Sequence, residues 1–317
     1  PIYISKYHSK FLKKNIERLG FKVFELENGK RIKLANNFYL TIYPADNCDP
    51  KLCYKFYGCG MPDLNSNESQ QIDSLSVIDD GKTTILNIND CPYQLAKNTI
   101  EKRVLKDFEK IDLLLTGYGG AGPYPQCLDN LDLDQKIISG NKKKINFLNQ
   151  SLDFIKLTKP DYYMPFAGTY VLSGKLNSLQ NLRGVPLIDE VYDYLDLKID
   201  KLEISKKVEG LKLNYDCTYD FDNKKFSKNY EKINIDNYNE YQKSYLSKKQ
   251  LDYENDVFLQ EEEIFDKASR AMVNYLKKKN ELNMNINSDI YFRVNDKYID
   301  IKKNASKIKI INKNEIN

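Results

Sequence analysis

Thr84–Cys91 reads TILNINDC, an apolar run that stops abruptly at two asparagines, an aspartate and a cysteine. Polar, metal-competent side chains at the end of a buried strand are poor core material, because a buried carboxylate needs a partner or a metal. Gly81 precedes the run and Pro92 follows it, so the Asp90 carboxylate is expected at a strand-to-loop edge. Binding and catalytic residues of layered α/β proteins collect at such edges.

Outward from this run the chain alternates strands and helices. LSVIDDGKTTILNIND reads as a hairpin turning at Asp80-Gly81. Upstream, PIYI reads as a strand, Phe11–Leu19 as a short helix, and KVFELENGKRIKL as a hairpin turning at Asn28-Gly29. FYLTIYPAD is a further strand, and the polar stretch Cys48–Gln71 reads as a long loop of the kind that is functional or disordered. Downstream, Gln94–Phe108 carries Leu95, Thr99, Ile100, Val104, Leu105 and Phe108 on one helical side. The strand IDLLLTGY follows, then a helix over Ile145–Leu157 that Pro160 ends, then YYMPFAG. Hairpins followed by strand, helix, strand, helix, strand suit an α/β sandwich with helices outside.

From about residue 200 the chain turns polar and rich in Asn, Lys and Tyr, then forms a helix from about Asp256 to Lys279 and a hairpin around Asn295-Asp296. The expected division is therefore a first domain over 1–200 and a smaller α+β appendage over 201–317.

Composition narrows the function classes. The 317 residues carry 49 basic against 45 acidic side chains, a near balance that lacks the concentrated basic face of a nucleic-acid binder. No stretch approaches the roughly 18 apolar residues of a membrane span, and no signal-peptide pattern opens the chain. The six cysteines are too sparse for a disulfide scaffold, and a reducing cytoplasm is the expected location. Cys48, Cys53 and Cys59 lie close enough for a metal loop, although free loop thiols explain them as well. The single histidine, His8, reads as a surface or capping residue before it reads as a ligand, and one histidine cannot complete a His-rich binuclear centre. The opening at Pro1, already inside a strand, suggests a fragment.

Two loops could carry chemistry. TGYGGAGPYPQC, Thr116–Cys127, follows the strand IDLLL; its glycines let backbone amides approach a ligand, while Tyr118 and Tyr124 offer stacking faces and hydroxyls. It lacks the Gly-Lys-Ser/Thr ending of a Walker loop and the Rossmann glycine spacing. A tight turn explains it equally well. MPFAGTYVLSGK, Met164–Lys175, repeats the arrangement, with small residues suited to close backbone approach. Beyond it, Asn177 and Arg183 could meet an anionic group or stand as solvated loop residues.

PIYI, ILNINDC at 85–91, GAGPYP at 120–125 and PFAGTYV at 165–171, in this order, resemble the metallo-β-lactamase-fold domain of the CMP-N-acetylneuraminate hydroxylase type over residues 1 to about 185. The resemblance implies a metallo-β-lactamase-like αββα sandwich, two mixed sheets flanked by helices with metal at one edge. It places the family's histidine-rich HxHxDH motif just before Pro1, so the principal ligands would lie upstream. Asp90 then matches the acidic metal ligand, and Asp73 a second acidic position. Asn87, Asn89, Tyr118, Gly119, Gly120, Tyr124, Phe166, Gly168 and Arg183 would contact substrate. The implied cofactor is a divalent metal, zinc or iron, with a Rieske 2Fe-2S cluster only if one is encoded upstream. The implied partner is a sugar or sugar nucleotide, with no nucleic acid or membrane, and the activity hydrolysis or hydroxylation of a nucleotide-activated or acidic sugar. The alternative is a catalytically silent binding relative that has lost the metal. PFAG stands where many relatives carry a late histidine.

Overall fold

A computed structural model describes residues 1–6, 10–45, 73–88, 90–202, 207–251, 259–281, 289–295, 297–301 and 309–312. His8, Asn89 and the Cys48, Cys53 and Cys59 cluster lie outside the described residues. In chain order the first part holds β1 (Ile2–Ser5), α1 (Phe11–Arg18), β2 (Val23–Leu26), β3 (Ile32–Ala35), β4 (Phe38–Pro44), β5 (Ser74–Asp79) and β6 (Thr84–Asn87). Then come α2 (Tyr93–Thr99), continued by a π-helical segment Ile100–Val104, β7 (Leu113–Thr116), α3 (Leu133–Thr158) and β8 (Tyr162–Pro165). A 3-10 helix (Gly174–Leu182), α4 (Ile188–Ile199), β9 (Glu209–Gly210), β10 (Tyr219–Asp220), β11 (Lys225–Phe226) and α5 (Ile235–Ser244) follow.

Strand periodicity builds the layers. Along β4, Leu40 and Ile42 pack with Leu26, Tyr3, Leu34 and Ile78, while Tyr43 joins the main core with Leu75, Val77, Leu86 and Leu114. Successive strand side chains point to opposite faces, so these are two sides of one sheet. That sheet has seven strands in the order β3-β4-β5-β6-β7-β8-β9, antiparallel from β3 to β6 and parallel from β6 to β9. Each parallel step needs a crossover, and α2, α3 and α4 supply them in turn. Ile100 and Val104, Leu152 and Ile155, and Val191 and Leu195 from these crossovers share one core cluster. Crossovers of one hand laid along a sheet in one direction must land on the same face.

The opposite face meets a second, two-stranded sheet in which β1 and β2 run parallel, with Tyr3 beside Phe24 and Ser5 beside Leu26. Glu25, on the other side of that small sheet, pairs with Lys10 at 2.8 Å and Lys13 at 3.8 Å, which places α1 outside it. The layers run helix, sheet, sheet, helix, as the αββα expectation requires.

Two local expectations are corrected. The turn at Asn28-Gly29 forms, with Gly29 at φ +74°, yet β2 and β3 do not pair with each other. The turn is a corner between sheets: β2 joins β1, β3 joins β4, and the Gly29 amide bonds Ile42 O at 2.8 Å. The helix expected over Ile145–Leu157 begins at Leu133. Its first half has no apolar stripe, and Leu133, Ile137 and Ile138 are exposed, so periodicity could not reveal it. A capping box starts it instead, with Asp132 accepting from the Gln135 amide at 2.8 Å and Gln135 returning a bond to Asp132 N at 3.0 Å.

The described residues up to Gln250 form one compact unit and those from Leu251 onward a second. The break therefore falls some way beyond residue 200, where the composition changes. Residues 207–250 are tied to the first unit by Tyr219 Oη to Tyr162 Oη at 2.7 Å, Tyr230 Oη to Asp189 at 2.7 Å and Tyr192 Oη to Leu211 O at 2.7 Å. The second unit joins α6 (Glu261–Glu281) to the antiparallel sheet β12 (Ile290–Val294), β13 (Lys297–Ile301) and β14 (Lys309–Asn312), around Phe265, Leu276, Val294 and Ile299.

Candidate functional site

Because β6, β7 and β8 run parallel, with Asn87 beside Leu115 and Thr116 beside Pro165, the loops after all three leave the same edge of the sheet. Ligands of open α/β sheets bind at the carboxyl ends of strands. The three sequence blocks ILNINDC, TGYGGAGPYP and PFAGTY are those loops. Asp73 precedes β5, which runs antiparallel to β6 with Ser76 beside Asn87, so Asp73 also stands at this edge. Its carbonyl accepts from Ala45 N at 3.1 Å.

At the end of β6 a turn from Cys91 N to Ile88 O, 3.0 Å, returns Ile88 and Cys91 to the core and leaves Asp90 exposed. Asp90 has no side-chain partner among the described residues. Asn87, half-buried, ends the strand.

Protein neighbours fill the space beside Gly119, Gly120 and Gly168, three of the glycines expected to let the backbone approach a ligand, while Gly122 has open space. A Cβ on Gly119 would strike the Gly168 carbonyl. A Cβ on Gly120 would lie 2.5 Å from the Phe147 ring, and one on Gly168 would lie 2.6 Å from the Tyr118 ring. Tyr118 itself is 4% exposed, and its hydroxyl shares a hydrogen bond with Thr169 Oγ1. Burial raises its pKa, and the Thr169 bond partly offsets that. Tyr118 therefore locks the β7 loop to the β8 loop and offers no free stacking face. Ala167 takes a left-handed φ of +53° at the same corner. Tyr124 and Phe166 remain exposed on the outer surface of these loops.

Arg183 is buried, 5% exposed, and its environment holds several residues with no motif to announce them. Its Nε donates to Gln180 O at 2.7 Å, and its guanidinium lies 5.2 Å from the Tyr170 ring centre. Lys143 donates to Arg183 O at 3.1 Å and to Tyr124 O at 2.9 Å. Buried Gln126 donates to Gly122 O at 2.5 Å and Tyr170 Oη at 3.4 Å. Burial lowers the pKa of both cations; the Arg183 charge further lowers that of Lys143, while Tyr238 and Tyr170 oppose the shift at Arg183. Asn177, the other anion candidate, holds Leu172 O at 3.0 Å. Lys143, Gln126, Tyr170 and Gln180 were not expected here, because isolated polar residues spread over four segments leave no spacing signal.

The resemblance implies a metal at this edge, and the described side chains there do not complete a site for it. Among the described residues no three of His, Cys, Asp and Glu come together as a metal-holding group. Asp90 and Asp73 alone do not make a full ligand set, because zinc and iron sites take three or more N, S or O donors. Cys91 is buried, Cys127 exposed and Cys217 between, and none is in a disulfide. No helix among the described residues is long and apolar enough to cross a membrane.

No family model matches the chain, and no curated protein matches it. Among solved structures, it is similar to the CmlA beta-hydroxylase E377D mutant, at 16% identity and a TM-score of 0.36 over 66% of this chain and 37% of that one. CmlA, a diiron beta-hydroxylase from Streptomyces venezuelae, is similar at 14% identity and a TM-score of 0.36, over 66% of this chain and 38% of that one. The metallo-beta-lactamase fold protein YhfI from Bacillus subtilis is similar at 13% identity and a TM-score of 0.30, over 66% of this chain and 61% of that one. This chain thus spans under two thirds of each. At these TM-scores no metal, activity or substrate carries over, and the mixed α/β architecture stands on the layers and strand order described above.

Proposed function

We propose that the protein is part of a metal-dependent enzyme acting on an acidic or nucleotide-activated sugar, with Asp90 as the carboxylate this chain contributes to the metal. One observation carries the reading. The three sequence blocks that resemble the hydroxylase-type sandwich all emerge at the carboxyl edge of β6, β7 and β8, and Asp90 stands exposed at that edge with no side-chain partner among the described residues. A divalent metal, when bound by a complete ligand set, supplies Lewis-acid polarisation of a substrate oxygen or an activated water. The Tyr118–Gly168 contact and the Tyr118–Thr169 hydrogen bond tie together the loops after β7 and β8, which leave the same sheet edge as the Asp90 loop.

The lack of a three-donor group among the described residues favours a second reading, a binding protein of the same fold without metal. Metal analysis of the full-length protein after loading with zinc or iron(II) separates the two. The enzyme reading expects bound metal in the wild type, lost together with turnover of a CMP-activated acidic sugar in Asp90→Ala. Unchanged metal content and turnover in Asp90→Ala would sink it, and a wild type that binds the sugar while holding no metal establishes the second reading.

A further inference from the structure

Arg183 also lines a half-open cavity of about 420 Å³ bounded by α3, the 3-10 helix, the start of α4 and α5, a volume within the range of small-molecule sites. The close approach of two glycines builds this wall. Gly184, at φ +63°, sits so near Gly140 of α3 that a Cβ would strike the Gly140 carbonyl. The end of the 3-10 helix is thereby pressed against α3, and Arg183 is held in place just before the contact.

The charge on the cavity wall is unbalanced. Arg183 has no ion pair among the described residues, and its Nη1, fully buried, has no hydrogen-bond partner among them. A buried guanidinium with an unfilled donor is costly, and such groups call for an explanation. Lys136 adds a second cation to the lining. The acid there, Glu190, is already held by Lys144 at 3.1 Å. The rest of the wall is rich in side-chain amides, including Asn141, Asn239 and Gln180, whose Nε2 donates to Tyr238 Oη at 3.1 Å.

We propose that this cavity is an oxyanion site: Arg183 takes the phosphate or carboxylate of a small hydroxylated anion, a sugar phosphate or sugar acid, whose hydroxyls meet the wall amides. The planar guanidinium fork matches either oxyanion, and its orientation is fixed in advance by Gln180 O and the Tyr170 ring. The inference rests on the cavity and the unfilled donor, not on the metal reading. Asp90→Ala is therefore expected to lose metal while keeping anion binding, so the two readings fail separately.

The test is calorimetric titration and thermal denaturation of the whole protein with inorganic phosphate, glucose 1-phosphate, glucuronate and glucose, each at about 10 mM, an order of magnitude above a millimolar Kd. Glucose 1-phosphate or glucuronate is expected to bind and raise Tm, inorganic phosphate to bind more weakly, and glucose to do neither. Preference between the first two identifies the oxyanion. Arg183→Gln is expected to weaken binding by about tenfold or more, the loss of one charge-assisted contact. Should Arg183→Gln fail to fold by circular dichroism, Lys136→Glu on the half-buried face of α3 is expected to weaken binding several-fold, with the deficit greatest at low salt. No anion binding by the wild type, or binding unchanged in the folded variants, overturns the proposal and leaves Arg183 a packing residue.

Discussion

Gly168→Ala tests whether the glycines of the candidate site serve packing. A Cβ at residue 168 would lie 2.6 Å from two ring atoms of Tyr118 and 2.7 Å from a third, whereas carbon atoms rest at about 3.5–4.0 Å. The ring must therefore retreat by about 1 Å, and at 4% exposure it has no solvent to retreat into. Overpacking of this kind costs about 1–3 kcal/mol. Displacing the ring also strains the Tyr118–Thr169 hydrogen bond, worth about 1 kcal/mol. The sum is about 3 kcal/mol, or a fall in Tm of about 6–12 °C for a unit of this size. Far-UV circular dichroism during heating and urea titration followed by tyrosine emission both report it, since the chain has no tryptophan. Gly122→Ala is the control, because a Cβ there meets nothing within 4 Å. The double variant Gly168→Ala/Tyr118→Ala should lose less than the sum of the single losses, since the deleted ring removes the clash. A Gly168→Ala protein as stable as Gly122→Ala, or strict additivity in the cycle, would refute the packing account and restore the glycines as a ligand cradle.

Two further outcomes follow from the fold. Asp132→Ala removes the capping box of α3 and should cost about 1 kcal/mol in urea denaturation; a change indistinguishable from zero would mean the exposed first turns contribute nothing. Stability should also fall at alkaline pH. Buried Tyr163, which donates to Asp196 at 2.5 Å, and Tyr43, which donates to Asp107 at 2.6 Å, have pKa values raised by burial first and by the carboxylates second. Their stabilising contribution is complete below the unfolded tyrosine value of about 10 and is lost as pH rises beyond it, because the unfolded chain then binds fewer protons. The slope is about −1.4 kcal/mol per pH unit for each such tyrosine. Absorbance at alkaline pH should show a tyrosine fraction that ionises only as the protein unfolds, and full ionisation without unfolding would contradict this.

The layered fold was legible wherever one residue pattern served one layer. The hairpin at Asp80-Gly81 and the order of strands and helices from β6 to β8 could be read because alternation and helical spacing record which face is buried. The turn at Asn28-Gly29 was misread for a definite reason: a tight turn reports that the chain reverses, not whether the strands on either side share a sheet. The first half of α3 was hidden because it packs little and so carries no stripe. At the site, the edge position of Asp90 followed from a run of apolar residues that had to stop. The burial of Tyr118 did not follow, because a tyrosine between glycines reads alike as a ligand platform or as the filler of the space those glycines leave. Lys143, Gln126 and Gln180 act through contacts across 40 to 58 residues of chain, for which a single sequence has no signal.

The groups that could bind something fall into two sets of opposite sign, and that difference makes their roles separable. Asp90 is a carboxylate in solvent at a strand end, suited to a cation and inexpensive to leave unpaired. Arg183 is a cation under cover with an open donor, suited to an anion and costly to leave unfilled. An exposed charge is weakened by salt within a Debye length of about 10 Å, whereas a buried one is screened much less. Metal retention that depends on Asp90 should therefore fall as salt rises, while the part of anion binding owed to Arg183 should persist. That contrast argues for reading TILNINDC and the Arg183 cavity as two separate devices, the first to be tested with a cation and the second, framed by α3, the 3-10 helix and α5, with an anion.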